Sequence, residues 1–279
     1  MRLPPRHAQR LAVAVLGAAT ALTLGILAFI LASVFQKGLP HVTWRFLADE
    51  PRDMCRAGGI FPTIVGSLLL PLLAIAIALP LGAGTAVFLT EYTRETRLTR
   101  AIRFGADCLS GIPSILFGLF GFIFFVVFLG MGWSLLSGGL TLAIMILPTI
   151  IRTSEEAILS VPAAYREVSF SLGATRWETV RRVVLPNALP GIVTGVMLGI
   201  GRCIGETAAV ILTAGSSLRL PRSAFDSVRT MSVHFYILAR EGLSAEMAYG
   251  TAAVLILSIL IVNLAAYGLM HRFISRRAA

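Results

Sequence analysis

Charged residues are scarce in this chain. They make up 14% of its 279 residues, where a soluble domain carries roughly a quarter. Lysine occurs once, at Lys37, and Gly38 follows it. A Gly-Lys-Ser/Thr phosphate loop is therefore excluded, and with it nucleotide hydrolysis on this chain. His-Glu-x-x-His and Gly-x-Ser-x-Gly are also missing, which removes the usual zinc-peptidase and serine-hydrolase chemistry. Cysteine is limited to Cys55, Cys108 and Cys203. They are too dispersed for a disulfide framework or a metal cluster, and Cys108 and Cys203 sit in apolar blocks where a thiol serves as packing.

What remains is apolar. Hydrophobic residues make up 56% of the chain, mean hydropathy is +0.83, and the apolar residues come in long blocks. A hydrocarbon core of ~30 Å needs about 20 helical residues. The first block, 11–36, carries no charge and follows a basic start. It is longer than the roughly 7–15 residues of a signal-peptide core, so a retained membrane helix is expected. The second, 57–90, contains Pro71 and Pro80, which neighbouring helices accommodate in a bundle. The stretch 104–151 has Asp107 as its only charge and is too long for one span. It reads as two helices, with Gly130, Gly132, Gly138 and Gly139 at the turn. A fifth helix is expected over about 189–214 and a sixth over about 247–270.

The formal charge of +10 is almost entirely arginine. The arginines fall between apolar blocks rather than along one polar face, which favours membrane orientation over nucleic-acid binding. Arg2, Arg6 and Arg10 precede the first block. Arg94, Arg97, Arg100 and Arg103 follow the second, Arg166, Arg176, Arg181 and Arg182 the fourth, and Arg272, Arg276 and Arg277 the last. The opposite loops hold Lys37, Arg45, Arg52 and Arg56, then Arg219, Arg222, Arg229 and Arg240, diluted by acidic residues. Positive residues mark the cytoplasmic side, so both termini are expected inside. The expected fold class is an all-α integral membrane protein with six transmembrane helices in contact with lipid. Gly191, Gly195 and Gly199, with Gly201 and Gly205 after them, form a small-residue ridge of the kind that lets helices approach closely.

The segment 161–190, VPAAYREVSFSLGATRWETVRRVVLPNALP, is amphipathic and mixed in charge. A short helix, a turn at Gly173 and a second helical stretch from Arg176 are expected. Amphipathicity alone also fits an ordinary interfacial helix. The spacing resembles the EAA loop of ABC-importer permeases: EAA, three residues, glycine, nine residues, then I-x-L-P. Glu167, Val168 and Ser169 stand at EAA, with Gly173 and Ala174 at the turn. Val183, Val184, Leu185 and Pro186 close the pattern. Val168, Ser169 and Val183 depart from the family's residues by small or apolar exchanges.

Further stretches resemble the phosphate-specific branch of that family, PstA-type more than PstC-type. They are GIFPTIVGSLLL from Gly59, AGTAVFLTEYT from Ala83, GIPSILFGLFG from Gly111, LPTIIRTSEEAILSVP from Leu147 and LGIGRCIGETAAVILTAG from Leu198. The resemblance implies a type I importer-permease (MetI-like) fold over 58–272. Residues 1–57 would supply the N-terminus, first helix and external loop, 161–188 the coupling loop, and 273–279 a cytoplasmic tail. It implies import of phosphate, or of another oxyanion, with no cofactor on this chain. ATP and magnesium would sit on a PstB-like cytoplasmic ATPase dimer that grips the coupling loop. A PstC-like second permease and an external PstS-like phosphate-binding protein are the other implied partners.

Ionisable residues inside a membrane are costly and usually functional. Arg202 and Glu206 lie at i and i+4, the spacing of one helix face. Arg152 and Glu155 lie at i and i+3. A guanidinium suits an oxyanion because its planar fork donates two parallel hydrogen bonds, and a nearby carboxylate keeps the cation from trapping its ligand. The same spacings also fit structural ion pairs. The resemblance places Arg152, Glu155 and Arg202 on the phosphate path, while Glu206 rests on its position and helical spacing.

Overall fold

The computed structural model describes residues 5–278. Met1–Pro4 and Ala279 lie outside the described residues, and so does Arg2 of the N-terminal arginine group. The side chains of Arg6, Arg272, Arg276 and Arg277 lie outside them as well.

Helices dominate because the sequence offers long apolar runs whose backbone groups must pair within the segment in a membrane. Helix α1 spans Pro5–Gly38 and α2 spans Trp44–Ala48. A two-residue hairpin follows, β1 (Pro51–Arg52) paired antiparallel with β2 (Ala57–Gly58). Helix α3 (Phe61–Val87) runs into a π-helical turn at Phe88–Tyr92. Helix α4 covers Arg97–Ser110, and α5 (Ser114–Gly121) continues as a π-helical segment over Phe122–Phe128. Helix α6 is Leu135–Leu159, α7 is Ala163–Ser171 and α8 is Arg176–Thr179. A π turn, Val180–Val184, leads into α9 (Leu185–Gly205), then α10 (Ala208–Thr213), α11 (Met231–Glu241) and α12 (Ala245–Ala278).

Among the described residues, five helices are long and apolar enough to cross a membrane. The pair α4–α5 makes a sixth span if counted as one, bent by 103°. The bend falls at Gly111–Pro113, where the chain leaves helical geometry and Pro113 becomes the N-cap of α5. A proline ring cannot continue the preceding helix, and the residue before it is steered away from helical dihedrals.

The centre is α3 packed on α6, with α9 against both. Leu70, Leu142, Ile146 and Ile150 are fully buried there. In lipid the packing itself, rather than exclusion of water, drives such contacts. Gly82 closes on Ile150, Gly139 on Leu73 and Gly191 on Ala157. Thr141, Thr153 and Thr213 satisfy their hydroxyls on carbonyls of the preceding turn. Helix α1 lies at the edge, exposed along nearly its whole described length.

Two expectations are corrected. Gly130 and Gly132 do form the turn, at φ +65° each. Gly138 and Gly139, however, lie inside α6, against Leu70, Ala214 and Leu73. They serve close approach, not the turn. The fifth helix does not run to Ala214. It stops at Gly205, because Glu206 takes extended dihedrals (φ −72°, ψ 130°) and the chain restarts as α10.

On the opposite side from α7, Thr230 caps α11, and the Ser67 hydroxyl accepts the Met231 N–H at 2.7 Å, which fixes α11 to α3. His234 is fully buried beneath Arg229, with Nδ1 3.4 Å from the guanidinium. Burial, followed by the Arg229 charge, pushes its pKa down to about 4.

Candidate functional site

The segment 161–190 folds from its own capping chemistry. Pro162 opens α7, and Gly173 ends it at φ +83° with open space where a side chain would sit. The Thr175 hydroxyl accepts from the Glu178 N–H while the Glu178 carboxylate takes the Thr175 N–H at 2.9 Å. The Ser169 and Thr179 hydroxyls meet at 2.8 Å and close the two arms. Arg166 fastens the assembly to the membrane helices. Its Nη2 donates to Glu91 at 2.7 Å and to the Ile158 carbonyl at 2.9 Å, and its Nη1 donates to the Val161 carbonyl at 2.7 Å. Outward, the segment shows Tyr165, Val168, Phe170, Leu172 and Trp177, with Leu172 83% exposed. Glu167 is exposed on the same arm, and Leu185 and Pro186 begin α9. Exposed apolar residues in such number on so small a knob mark a surface suited to a protein partner.

The membrane charges fall on two levels. At the inner level, Arg152 and Glu155 of α6 do not pair with each other. The Arg152 Nε donates to Oδ1 of Asp107 at 2.7 Å, and its Nη2 contacts both carboxylate oxygens. Glu155 is buried, and its Oε1 accepts from Nε of Arg103 at 2.6 Å and Nη2 at 2.5 Å. Glu95 adds a second carboxylate 3.6 Å from Arg103. The i,i+3 pairing expected from sequence is thus replaced by two bridges from α6 to α4. The cause is geometric: α4 runs antiparallel to this end of α6, so Arg103 meets Glu155 and Asp107 meets Arg152.

At the outer level, Arg202 stands in the last turn of α9 rather than in mid-helix. A cation there is favoured by the helix's negative C-terminal end. The expected i,i+4 pair with Glu206 does not form, because Glu206 lies beyond the helix end. Its Oε1 instead accepts the Ala209 N–H at 3.2 Å, and its carbonyl accepts from Ser232 Oγ at 2.7 Å. Among the described residues Arg202 has no carboxylate within ion-pair distance. Irregular backbone at membrane depth, with a cation and carboxylate beside it, is tolerated where it lines a cavity.

The α6–α9 contacts set the separation of the levels. Gly191 packs on Ala157, Gly195 on Thr153 and Gly199 on Ile146. Arg202 therefore lies about 10 Å along the helix axis from Arg152, at 1.5 Å per residue. The ridge of Gly191, Gly195 and Gly199 faces α6, whereas a side chain added at Gly201 or Gly205 would meet open space among the described residues.

Sequence reading missed Arg103 and Asp107 as partners. Arg103 was counted only toward orientation, and Asp107 was noted only as a lone charge in an apolar run. The signal was present. Residues 103 and 107 are one helical turn apart with opposite charges, matching 155 and 152 in reverse. No group of three or more histidine, cysteine or acidic side chains that could hold a metal occurs among the described residues.

A family model described as "Binding-protein-dependent transport system inner membrane component" matches residues 78–278. The chain is 34% identical to the probable ABC transporter permease protein YqgI of Bacillus subtilis, over 92% of this chain and 93% of that protein. It is 36% identical to phosphate transport system permease protein PstA 1 of Mycobacterium tuberculosis, over 79% of this chain and 73% of that one. Among solved structures it resembles a chain of the MetNI methionine ABC transporter in an inward-facing conformation. That match has a TM-score of 0.62 at 21% identity, over 77% of this chain and 94% of the other.

Proposed function

The chain belongs to the family of binding-protein-dependent transport system inner membrane components and has the all-α fold of type I ABC-importer permeases. On that premise we propose that it carries inorganic phosphate inward as one permease half of an ATP-driven importer. The observation that carries the cargo is the 36% identity to a phosphate transport system permease over most of the chain. The charge arrangement supports it. Two arginines, Arg202 and Arg152, stand about 10 Å apart along the helix axis, and phosphate is anionic throughout the physiological range.

In this reading the outer arginine receives the anion. Among the described residues its guanidinium has no carboxylate in ion-pair contact, so an incoming oxyanion gains a charge-assisted bidentate contact without first breaking an ion pair. The inner arginine already holds Asp107, and passage there is an exchange of partners. Glu155 keeps Arg103 and shapes the inner level. Gly201 and Gly205 leave a face of α9 open, where a PstC-like second permease would complete the pore. A PstS-like binding protein would deliver phosphate from outside.

A PstB-like ATPase dimer, holding ATP and magnesium, would grip α7 and the Gly173 turn. Arg166 would transmit its movement, because one side chain touches the coupling segment, the end of α6 and Glu91 beside α3. This chain makes and breaks no covalent bond. Both termini would lie in the cytoplasm.

The test is phosphate uptake in cells lacking the chain and in cells with it restored. Uptake depends on the chain, and excess sulfate or molybdate leaves it unchanged. Suppression by sulfate as strong as that by unlabelled phosphate would reassign the cargo.

A further inference from the structure

The two bridges between α4 and α6 are not equivalent. In the Arg103–Glu155 bridge the carboxylate side chain is 5% exposed and the guanidinium 26%. In the Arg152–Asp107 bridge the side chains are 39% and 50% exposed. Glu155 also has a second oxygen, Oε2, that is buried without a partner. Removing Arg103 would leave that carboxylate uncompensated in a buried site, which is strongly unfavourable. The Arg103–Glu155 bridge is therefore a fixed bolt. The Arg152–Asp107 bridge can exchange partners, because both of its members are exposed.

We propose that Asp107 is a positioning residue for the oxyanion path. It occupies the Arg152 guanidinium when no anion is present and yields it when one arrives. This rests on the reading of the chain as an oxyanion importer. A guanidinium presents the same fork to a carboxylate and to an oxyanion, so both compete for one set of donors. Competition sets the residence time. Arg152 alone would hold the anion and slow its exit, since conduction needs binding weak enough to release. With Asp107 one helical turn from Arg103, the bolt keeps the competitor in register while its own bridge opens. Asp107 is thereby the return spring of the inner arginine, and Arg103 and Glu155 are its anchor.

The experiment measures uptake kinetics of the intact complex in proteoliposomes at matched protein content, with phosphate, sulfate and molybdate each offered as cargo. The oxyanion that the unaltered protein carries identifies the substrate. For that oxyanion, Asp107→Asn lowers KM by roughly two- to fivefold, the worth of releasing a solvent-open ion pair, and lowers the maximal rate as well. Asp107→Glu restores both towards the original values. A sulfate-carrying protein that shows this split would overturn the phosphate reading and leave the role of Asp107 standing. A phosphate-carrying protein whose Asp107→Asn variant keeps its KM, whether the maximal rate falls or holds, would overturn the role of Asp107. An unaltered protein that carries none of the three overturns both.

Discussion

Gly173 sits at φ +83° with nothing within 4 Å of the position a Cβ would take. Conformation, not volume, selects glycine at this turn. A left-handed residue costs an ordinary L-residue about 1–2 kcal/mol, whereas asparagine tolerates the region better. Gly173→Asn should therefore keep ATPase association and uptake near normal, and Gly173→Val should impair both. Gly173→Asp has the shape of the asparagine variant but adds a charge to the apolar knob. It is expected to insert in the membrane and to lose ATPase association, read by copurification in mild detergent. Equal behaviour of the aspartate and asparagine variants would contradict a docking surface at this turn.

His234 ties acid sensitivity to one side chain. Its pKa falls from 6.5 to about 4, through burial and then the Arg229 charge. Between those values the unfolded chain binds the proton and the folded chain does not. Stability therefore rises with pH across this window. The contribution is fully present above about pH 6.5 and is lost progressively as pH falls towards 4. The difference is on the order of 3 kcal/mol. Thermal unfolding in detergent at pH 7.5 and 4.5 should show a smaller acid-induced drop for His234→Gln than for the unaltered chain. Equal drops would remove His234 from the account. Composition could not reveal this residue, because one histidine in a loop-flanked helix gives no sign of being fully enclosed.

At the scale of elements, the end of α9 decides how Arg202 is used. If Arg202 and Glu206 were a packing pair, removing both charges together would restore assembly and transport. They are separated by the helix end, and Glu206 is engaged with the Ala209 N–H and Ser232. Phosphate uptake by Arg202→Leu/Glu206→Leu should thus stay as low as for Arg202→Leu alone, at matched membrane abundance. Recovery in the double variant would show that the two charges matter only to each other.

The long apolar helices were legible because lipid demands about 20 apolar residues per span. The coupling segment was legible too, since Pro162, Gly173, Thr175 and Glu178 are local capping signals that act within a few residues. The break at Glu206 was not. The chain is apolar on both sides of it, over 203–205 and 208–212, and hydropathy does not distinguish a continuous helix from two pieces. Gly138 and Gly139 were misread because a glycine pair signals either a turn or close packing. Only the neighbours Leu70, Leu73 and Ala214 decide which. The α4–α6 bridges depend on which helices lie side by side, and spacing along one helix could not disclose that.

At the scale of the molecule, the arginine distribution proposes a topology with both termini in the cytoplasm. If the arginine-rich side is cytoplasmic, α7 and α8 lie inside, α6 and α9 cross in opposite directions, and the buried cluster of Phe46, Met231 and Leu238 faces outward. Reporter fusions at Arg10 and Arg277 should both report cytoplasm, and an external signal from either would break the six-span arrangement. Within that frame the chain presents an exposed apolar knob at α7, an Arg202 with no carboxylate in ion-pair contact among the described residues, and an Arg152 held by Asp107.

Phosphate accumulation by proteoliposomes tests ATP-driven phosphate import through this chain most directly. These would contain the complex isolated through this chain, with the binding protein outside and ATP with magnesium enclosed. Phosphate should accumulate only when ATP is hydrolysed, and the Gly173→Asp complex should not accumulate it. Accumulation without ATP, or accumulation of a different oxyanion in place of phosphate, would contradict the account.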